Sequence, residues 1–241
     1  MSSRTYLRYE LKRTFRNRRF FFFSLAFPLL LFLSVGGSQR DTDIVPGVPF
    51  LPYYMVGMAG WGAMTAVLAG GARISMERAA GWVRLLRLTP LSVAGYFRAK
   101  IITGYLMGGL TLLLLYGAGI ALGVRLPLHE WLQMTGLILV ALVPIAILGI
   151  LLGHLLTPDS MGPVLGGLSA LLAFLGGSWF VTTGFLATLG EYVPSYWLTQ
   201  AGRLTVADES WPAKGWLVVA AWSVVLAALA VRVYRRDEQR G

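Results

Sequence analysis

The stretch ISMERAAGWVRLLRLTP (74–90) places charged side chains around an apolar knob, between two long apolar runs. Glu77, Arg78, Arg84 and Arg87 surround one tryptophan and two leucines. Aromatic and aliphatic anchors with a charged rim are typical of a surface that binds another protein. The same pattern also fits an amphipathic turn on the lipid surface, with arginines that reach toward phosphate groups. In both cases the chemistry that these residues indicate is recognition rather than bond cleavage.

Residue types that carry catalysis are scarce and scattered in this chain. The two histidines, His129 and His154, lie at opposite ends of one long apolar run and do not share a metal ion. The chain has no cysteine, and it contains neither a GxxxxGK[ST] loop nor an HExxH or GxSxG motif. Four carboxylates outside residues 74–90 are scattered and do not form a catalytic group: Asp159, Glu191, Asp208 and Glu209. We therefore expect no catalytic residue, metal or cofactor here, so that energy for any transport comes from another chain.

The chain has six long windows without a charged residue. They indicate the membrane-spanning elements that hold residues 74–90 in place. The mean hydropathy is +0.65, and 13% of the residues are charged. A helix rises about 1.5 Å per residue and needs about 20 residues to cross the hydrocarbon of a membrane. The windows predict an all-α integral membrane protein with six transmembrane helices, at about residues 20–39, 50–72, 101–124, 131–156, 163–186 and 214–233.

The distribution of lysine and arginine predicts the orientation. With six spans, 17 of these residues fall on the side that holds both termini and residues 74–90, and four fall on the other side. Cytoplasmic segments carry the excess of basic residues, so both termini and residues 74–90 are predicted to be cytoplasmic. The net charge of +10 then reflects topology and attraction to anionic lipids rather than binding of nucleic acid.

Two segments outside the spans are amphipathic. Residues 4–19 predict a helix at the membrane interface, which serves as a positive-inside anchor or as a functional connecting helix. Its apolar positions recur every four residues, and a basic stripe runs beside them: Leu7, Leu11, Phe15, then Arg8, Lys12 and Arg16. Residues 187–213 predict short helices in the outer interface, because aromatic side chains prefer the headgroup zone. The residues that define this outer segment are Tyr192, Pro194, Tyr196 and Trp197. Glycines in residues 169–186 permit a broken helix just before it.

Taken together, these features resemble the ABC type-2 exporter permease family, and the resemblance covers nearly the whole chain. In that family the loop after the second span carries an acidic-basic pair, a glycine, two leucines and a Thr-Pro step, followed by a lysine that opens the third span. Here these are Glu77-Arg78, Gly81, Leu85-Leu86, Thr89-Pro90 and Lys100. The segment EYVPSYWLTQAGR (191–203) is similar to the one before the last span in drug and antibiotic exporters of the family. The chain departs from the family at Trp82 and Arg84, where threonine and an acidic residue are usual.

The resemblance implies a single transmembrane domain over residues 1–241, in the cytoplasmic membrane of a bacterium. It implies a permease that pairs with a second permease chain, identical or different, and with two ABC ATPase subunits that hold ATP and Mg. Residues 74–90 would then be the coupling helix, in which Thr89 caps the next helix with Pro90 at its first position. The residues that would contact the ATPase are Glu77, Arg78, Gly81, Trp82, Arg84, Leu85, Leu86, Thr89 and Pro90.

The exported substrate is expected to be an apolar or amphipathic drug, antibiotic or lipid, because the uncharged windows offer no buried charge for an ion. Its contacts are expected on spans one, two and five. Two other classes of function stay open at this point. One is a membrane anchor or sensor subunit that transports nothing, and the other is an intramembrane enzyme that modifies lipid. Substrate-stimulated turnover by a co-purified ATPase would distinguish the exporter from both.

Overall fold

A computed structural model of the chain describes residues 3–45, 48–82, 89, 91–206 and 211–239. Regular structure in these ranges is helical, apart from a small antiparallel hairpin of strands β1 (Asp43–Val45) and β2 (Val48–Pro49). The helices before the hairpin are α1 (Ser3–Phe15), α2 (Arg18–Phe21) and α3 (Phe27–Leu31), with π-helical turns at Phe22–Ala26 and Phe32–Gly36. The helices after it are α4 (Phe50–Ala79), α5 (Val93–Leu122), α6 (Leu128–Leu155), α7 (Pro158–Leu175), α8 (Gly184–Gly190), α9 (Pro194–Val206) and α10 (Ala213–Gln239).

Within the described residues, five helices are long and apolar enough to cross a membrane: α4, α5, α6, α7 and α10. The predicted fold class, an all-helical membrane protein, is therefore confirmed. The count of six spans is not, because the first predicted span (20–39) is not one regular α-helix. Residues 18–36 stay helical but alternate between α and π turns; we call this run the α/π segment.

Proline chemistry explains the first irregularity of the α/π segment. Pro28 has no N–H, so it cannot donate to the carbonyl of Ser24 four residues earlier. The hydroxyl of Thr111 in α5 lies 3.3 Å from that carbonyl oxygen and donates to it. A π turn at Phe22–Ala26 directly precedes this point, and such turns occur where the regular hydrogen-bond ladder is interrupted. The α/π segment is thereby attached to α5 inside the bundle.

Helix α4 forms the centre of the bundle and is the most deeply buried of the long helices. Its side chains Met55, Met58 and Met64 are almost completely enclosed. They pack in one core with residues of α5, α6, α7 and α9. In contrast, few residues of α7 and α10 are buried. Such exposure fits helices that face lipid or another membrane protein.

The bundle has two distinct ends. We call the end that holds α1, the last turns of α4 and the first turns of α5 the basic end. The opposite end, which holds the hairpin and α9, is called the far end. At the far end α7 stops at Leu175, whereas the hydropathy window predicts a helix up to residue 186. Gly177 has a φ of +65°, a conformation that favours glycine, and its carbonyl accepts a hydrogen bond of 2.6 Å from Arg203 in α9.

Candidate functional site

The most densely charged part of the interior is a buried ion cluster at the basic end, formed by α1, α4 and α5. The ammonium of Lys100 lies 2.7 Å from Glu77 and 2.9 Å from Glu10. Arg73 lies 3.2 Å from Glu10, and Arg13 lies 2.9 Å from Glu77. The cluster therefore contains three cations and two carboxylates, and it ties three helices together at one point.

Hydrogen bonds from neutral side chains complete the ion cluster. The hydroxyl of Tyr96 donates to Glu77 at 2.7 Å, and Arg73 donates to the hydroxyl of Thr14. Lys100 also lies over the ring of Tyr96, 5.2 Å from its centroid. Buried charges are tolerated only when they are paired and hydrogen-bonded, as they are here. Burial, with the carboxylates of Glu77 and Glu10 nearby, raises the pKa of the Tyr6 phenol, so that ring stays neutral.

Helix α1 uses a different face for packing than its apolar positions indicate. Tyr6, Glu10 and Thr14 are the side chains that it buries against the bundle. Leu7 and Leu11 are half-buried beside them, Phe15 is exposed, and the basic side chains lie outside: Arg8, Lys12 and Arg16. The helix thus has a polar inner face and an apolar flank. The sequence pattern did not predict a role for Glu10, although a single acidic residue in a basic helix is a usable signal.

The proposed coupling residues divide into an inner and an outer group. Glu77 is only 2% exposed, and Arg78 donates to the carbonyl oxygens of Gly153 and His154 at the end of α6. Gly81 ends α4 with a φ of +68°, and Trp82 is 43% exposed. Arg84, Leu85, Leu86 and Pro90 lie outside the described residues.

The start of the third span also differs in detail from the expectation. The residue that caps α5 is Ser92, whose side chain accepts a hydrogen bond from the backbone N–H of Gly95. The sequence pattern predicted this role for Thr89, which lies in a turn. The cap therefore lies directly before the helix start at Val93 and two residues after the Thr-Pro step.

A groove lies directly beside the ion cluster, between α1 and the last turn of α4. Its volume is about 650 Å³. Tyr9, Met76 and Trp82 line it with exposed apolar surface, and the ion cluster forms its floor through Glu10 and Glu77. An exposed aromatic and methionine surface of this kind fits a partner protein. We call it the end groove.

A second groove runs along the bundle between the α/π segment, α4 and α7. Its volume is about 580 Å³. Trp61 lies at one end, where its indole N–H donates to Ser169 at 3.2 Å and its ring meets Phe27 edge-on at 5.7 Å. Arg73 lies at the other end and is the one ionisable residue among the described residues of the lining. We call it the lateral groove.

Three of the four outer segment residues lie in α9 at the far end, and Tyr192 lies in the turn before it. Pro194 begins α9. Trp197 is buried, and its indole N–H donates to the carbonyl of Glu191 at 2.9 Å. Tyr196 packs edge-on against Trp197 at 5.2 Å, whereas Tyr192 is exposed. This aromatic cluster lies between α9 and the start of α10.

Among the described residues, no group of three or more histidine or acidic side chains is arranged to hold a metal ion. The buried charged groups that meet are paired with each other in the ion cluster, and the pairs Arg40–Asp41 and Glu191–Lys214 lie nearer the surface. The arrangement is suited to holding helices in register and to offering surfaces for binding.

Comparison with known proteins identifies the family. The sequence model described as ABC-2 family transporter protein matches residues 47–232, from just before α4 into α10. The chain is also 28% identical over 236 residues to YvfS of Bacillus subtilis (strain 168), which carries the name of a transport permease. That alignment covers 95% of each protein. In this family the permease is a non-catalytic membrane subunit, and a separate ABC ATPase hydrolyses ATP. The chain therefore belongs to the ABC-2 transporter family, as a permease subunit.

Proposed function

We propose that this permease exports an amphipathic or apolar compound, such as a drug, an antibiotic or a lipid, from the cytoplasmic membrane of a bacterium. The observation that carries the proposal is the lateral groove. Its walls are apolar and aromatic, and among the described residues only Arg73 brings a charge to it. Ligand sites of this kind bind mainly by apolar contact, with a few polar groups that set orientation.

The proposal places the basic end in the cytoplasm, because basic residues are concentrated there. The chain has no native cysteine, so single cysteines can be labelled without background. In intact cells, a membrane-impermeant maleimide is expected to label Asp41→Cys at the far end and to leave Ser92→Cys unlabelled. Both positions are exposed, so unequal labelling would report the side of the membrane. Labelling of Ser92→Cys from outside would overturn the orientation.

We further propose that the partner ATPase binds the end groove and residues 81–90. ATP and Mg would be held by that partner. The ion cluster supports this role, because Glu77 lies only a few residues before Trp82 and connects α4 to both α1 and α5. A displacement of the loop after α4 would therefore move three helices together. Packed elements with discrete arrangements are the usual carriers of such coupling.

The active unit is proposed to contain two permease chains and two ATPase subunits. The second permease has either this sequence or a different one. The exposed apolar surface of α7 supports a second membrane chain, with Leu171 and Phe174 both open. Gly167 on the same helix has free space above it and does not line the lateral groove. Helices approach closely at such positions in membranes.

Truncating Trp82 tests the coupling directly. In Trp82→Ala we expect the amount of co-purified ATPase to fall at least tenfold, because exposed tryptophans are frequent anchors of interfaces and often contribute about 2 kcal/mol or more. The measurement is ATPase recovered per permease in mild detergent, followed by ATP hydrolysis of the reconstituted complex with and without amphipathic compounds.

The matched control is Trp216→Ala, which removes a similarly exposed tryptophan at the far end and is expected to keep its ATPase. If both variants retain the ATPase equally, the end groove is not the contact. If the wild-type complex shows no stimulation by amphipathic compounds, the exporter proposal fails and an anchoring or sensing subunit is the better explanation.

A further inference from the structure

We propose that the basic end holds an anionic lipid of the cytoplasmic leaflet, with its phosphate in a basic pocket on α1 and one acyl chain in the lateral groove. The inference rests on the proposed function for the orientation of the basic end and for the lateral groove as a binding surface. It adds the chemistry of the occupant and the residues that select its headgroup.

The basic pocket has a volume of about 510 Å³ and lies between α1 and the last turns of α4. Four cations line it, and they are joined by two neutral polar side chains: Lys12, Arg13, Arg16, Arg73, Thr14 and Asn17. Among its described lining residues there is no carboxylate. Phosphate groups are bound by such sets of guanidinium and ammonium groups.

The basic pocket and the lateral groove adjoin each other. Asn17, Arg73 and Met76 line both of them. From Arg73 the lateral groove follows α4 to Trp61, which at about 1.5 Å per residue is a distance of about 18 Å. The hydrocarbon of a membrane is about 30 Å thick, so this distance matches one leaflet. A ligand with a polar end and one long apolar chain fits this combined shape.

Charge selects the kind of headgroup. Arg13 and Arg73 have carboxylate partners in the ion cluster, but Lys12 and Arg16 form no ion pair with a described residue. Both are exposed at the mouth of the pocket. Their charges are therefore available to an anionic group that approaches from the membrane surface. A zwitterionic headgroup would bring its own cation into a pocket that is already lined by four cationic side chains.

The test measures lipid binding by the full-length chain in mild detergent, without its ATPase, by native mass spectrometry. The probes are dioleoyl phosphatidylglycerol and dioleoyl phosphatidylcholine. We expect phosphatidylglycerol to bind at least tenfold more tightly. In the double variant Lys12→Gln/Arg16→Gln its binding should weaken about thirtyfold, the size expected for two basic side chains near an anionic headgroup. The control pair Arg4→Gln/Arg8→Gln removes two exposed cations from the same helix outside the pocket and should change binding less than threefold.

A second pair of variants tests the acyl chain. Gly166→Leu fills the lateral groove from α7, at a position with free space for a side chain, and should weaken binding of both lipids about tenfold. Gly136→Leu adds the same side chain to an exposed face of α6 and should leave binding unchanged. Equal affinity for the two lipids, or equal losses in the two charge variants, would overturn the inference. Because no ATPase is present, that result would leave the proposed coupling through Trp82 untouched.

Discussion

Gly71→Ala is expected to separate the two central helices of the bundle, whereas the same substitution at the neighbouring Gly70 is expected to be harmless. A Cβ at position 71 would lie 1.9 Å from the carbonyl oxygen of Gly149 in α6. Backbone atoms cannot turn away as a side chain does, so α4 and α6 must move apart. Overpacking in a well-packed interior costs about 1–3 kcal/mol and occasionally more, and this contact lies at the severe end.

The expected result is a large fall in the midpoint of thermal unfolding of the full chain in mild detergent. Gly70→Ala is the matched control, because a Cβ there meets no atom within 4 Å. Alanine is better than glycine inside a helix by about 0.5–1 kcal/mol, so this variant should unfold at the same or a slightly higher temperature. Equal effects of the two substitutions would show that α4 and α6 are not in backbone contact at this point.

Hydropathy located the long helices well but ended α4 too early. The uncharged window stops at residue 72, and the helix continues to Ala79. An uncharged window ends at the first charged residue, as if a solvent-exposed loop began there. Here Arg73 and Glu77 are buried and paired, so the helix carries charges inside the protein. Their pairs join residues that are as far as 64 positions apart in the chain, and a single sequence contains no signal for such a contact.

The breaks at the far end and in the α/π segment differ in how predictable they were. Glycines in residues 169–186 pointed to an interruption, and Gly177 lies in it with a left-handed backbone conformation. The π turns were not predicted, because Pro28 explains a lost hydrogen bond but not the partner that replaces it. That partner, Thr111, comes from another helix. Local chemistry thus indicated where regular structure would fail, while tertiary contacts determined what took its place.

The ion cluster changes what should be expected of Glu77. The sequence pattern placed this residue on a surface for the ATPase, but its carboxylate lies inside with Lys100, Arg13 and Tyr96. Glu77→Gln removes one of two carboxylates from a site with three cations. Breaking a buried pair by removing one partner costs about 3–5 kcal/mol, because a charge is left buried without compensation. The free energy of unfolding should therefore fall by several kcal/mol.

Two readouts and one control make this prediction specific. The midpoint of thermal unfolding should fall, and trypsin should cleave faster after Arg8 and Lys12, because α1 loses part of its attachment to α4. The control is Glu191→Gln, whose partner Lys214 is partly exposed at the far end. Such surface pairs contribute about 1 kcal/mol or less, so this variant should stay close to the wild type.

A double variant separates the ion cluster from a direct contact with the ATPase. In Glu77→Gln/Lys100→Met the charge left over by the first substitution is removed, and part of the lost stability should return because the two sites are coupled. A contact with the ATPase would predict something different: normal stability of Glu77→Gln alone, loss of the co-purified ATPase, and no recovery from a change at Lys100. Unchanged unfolding of Glu77→Gln would therefore return this carboxylate to the surface on which the sequence pattern placed it.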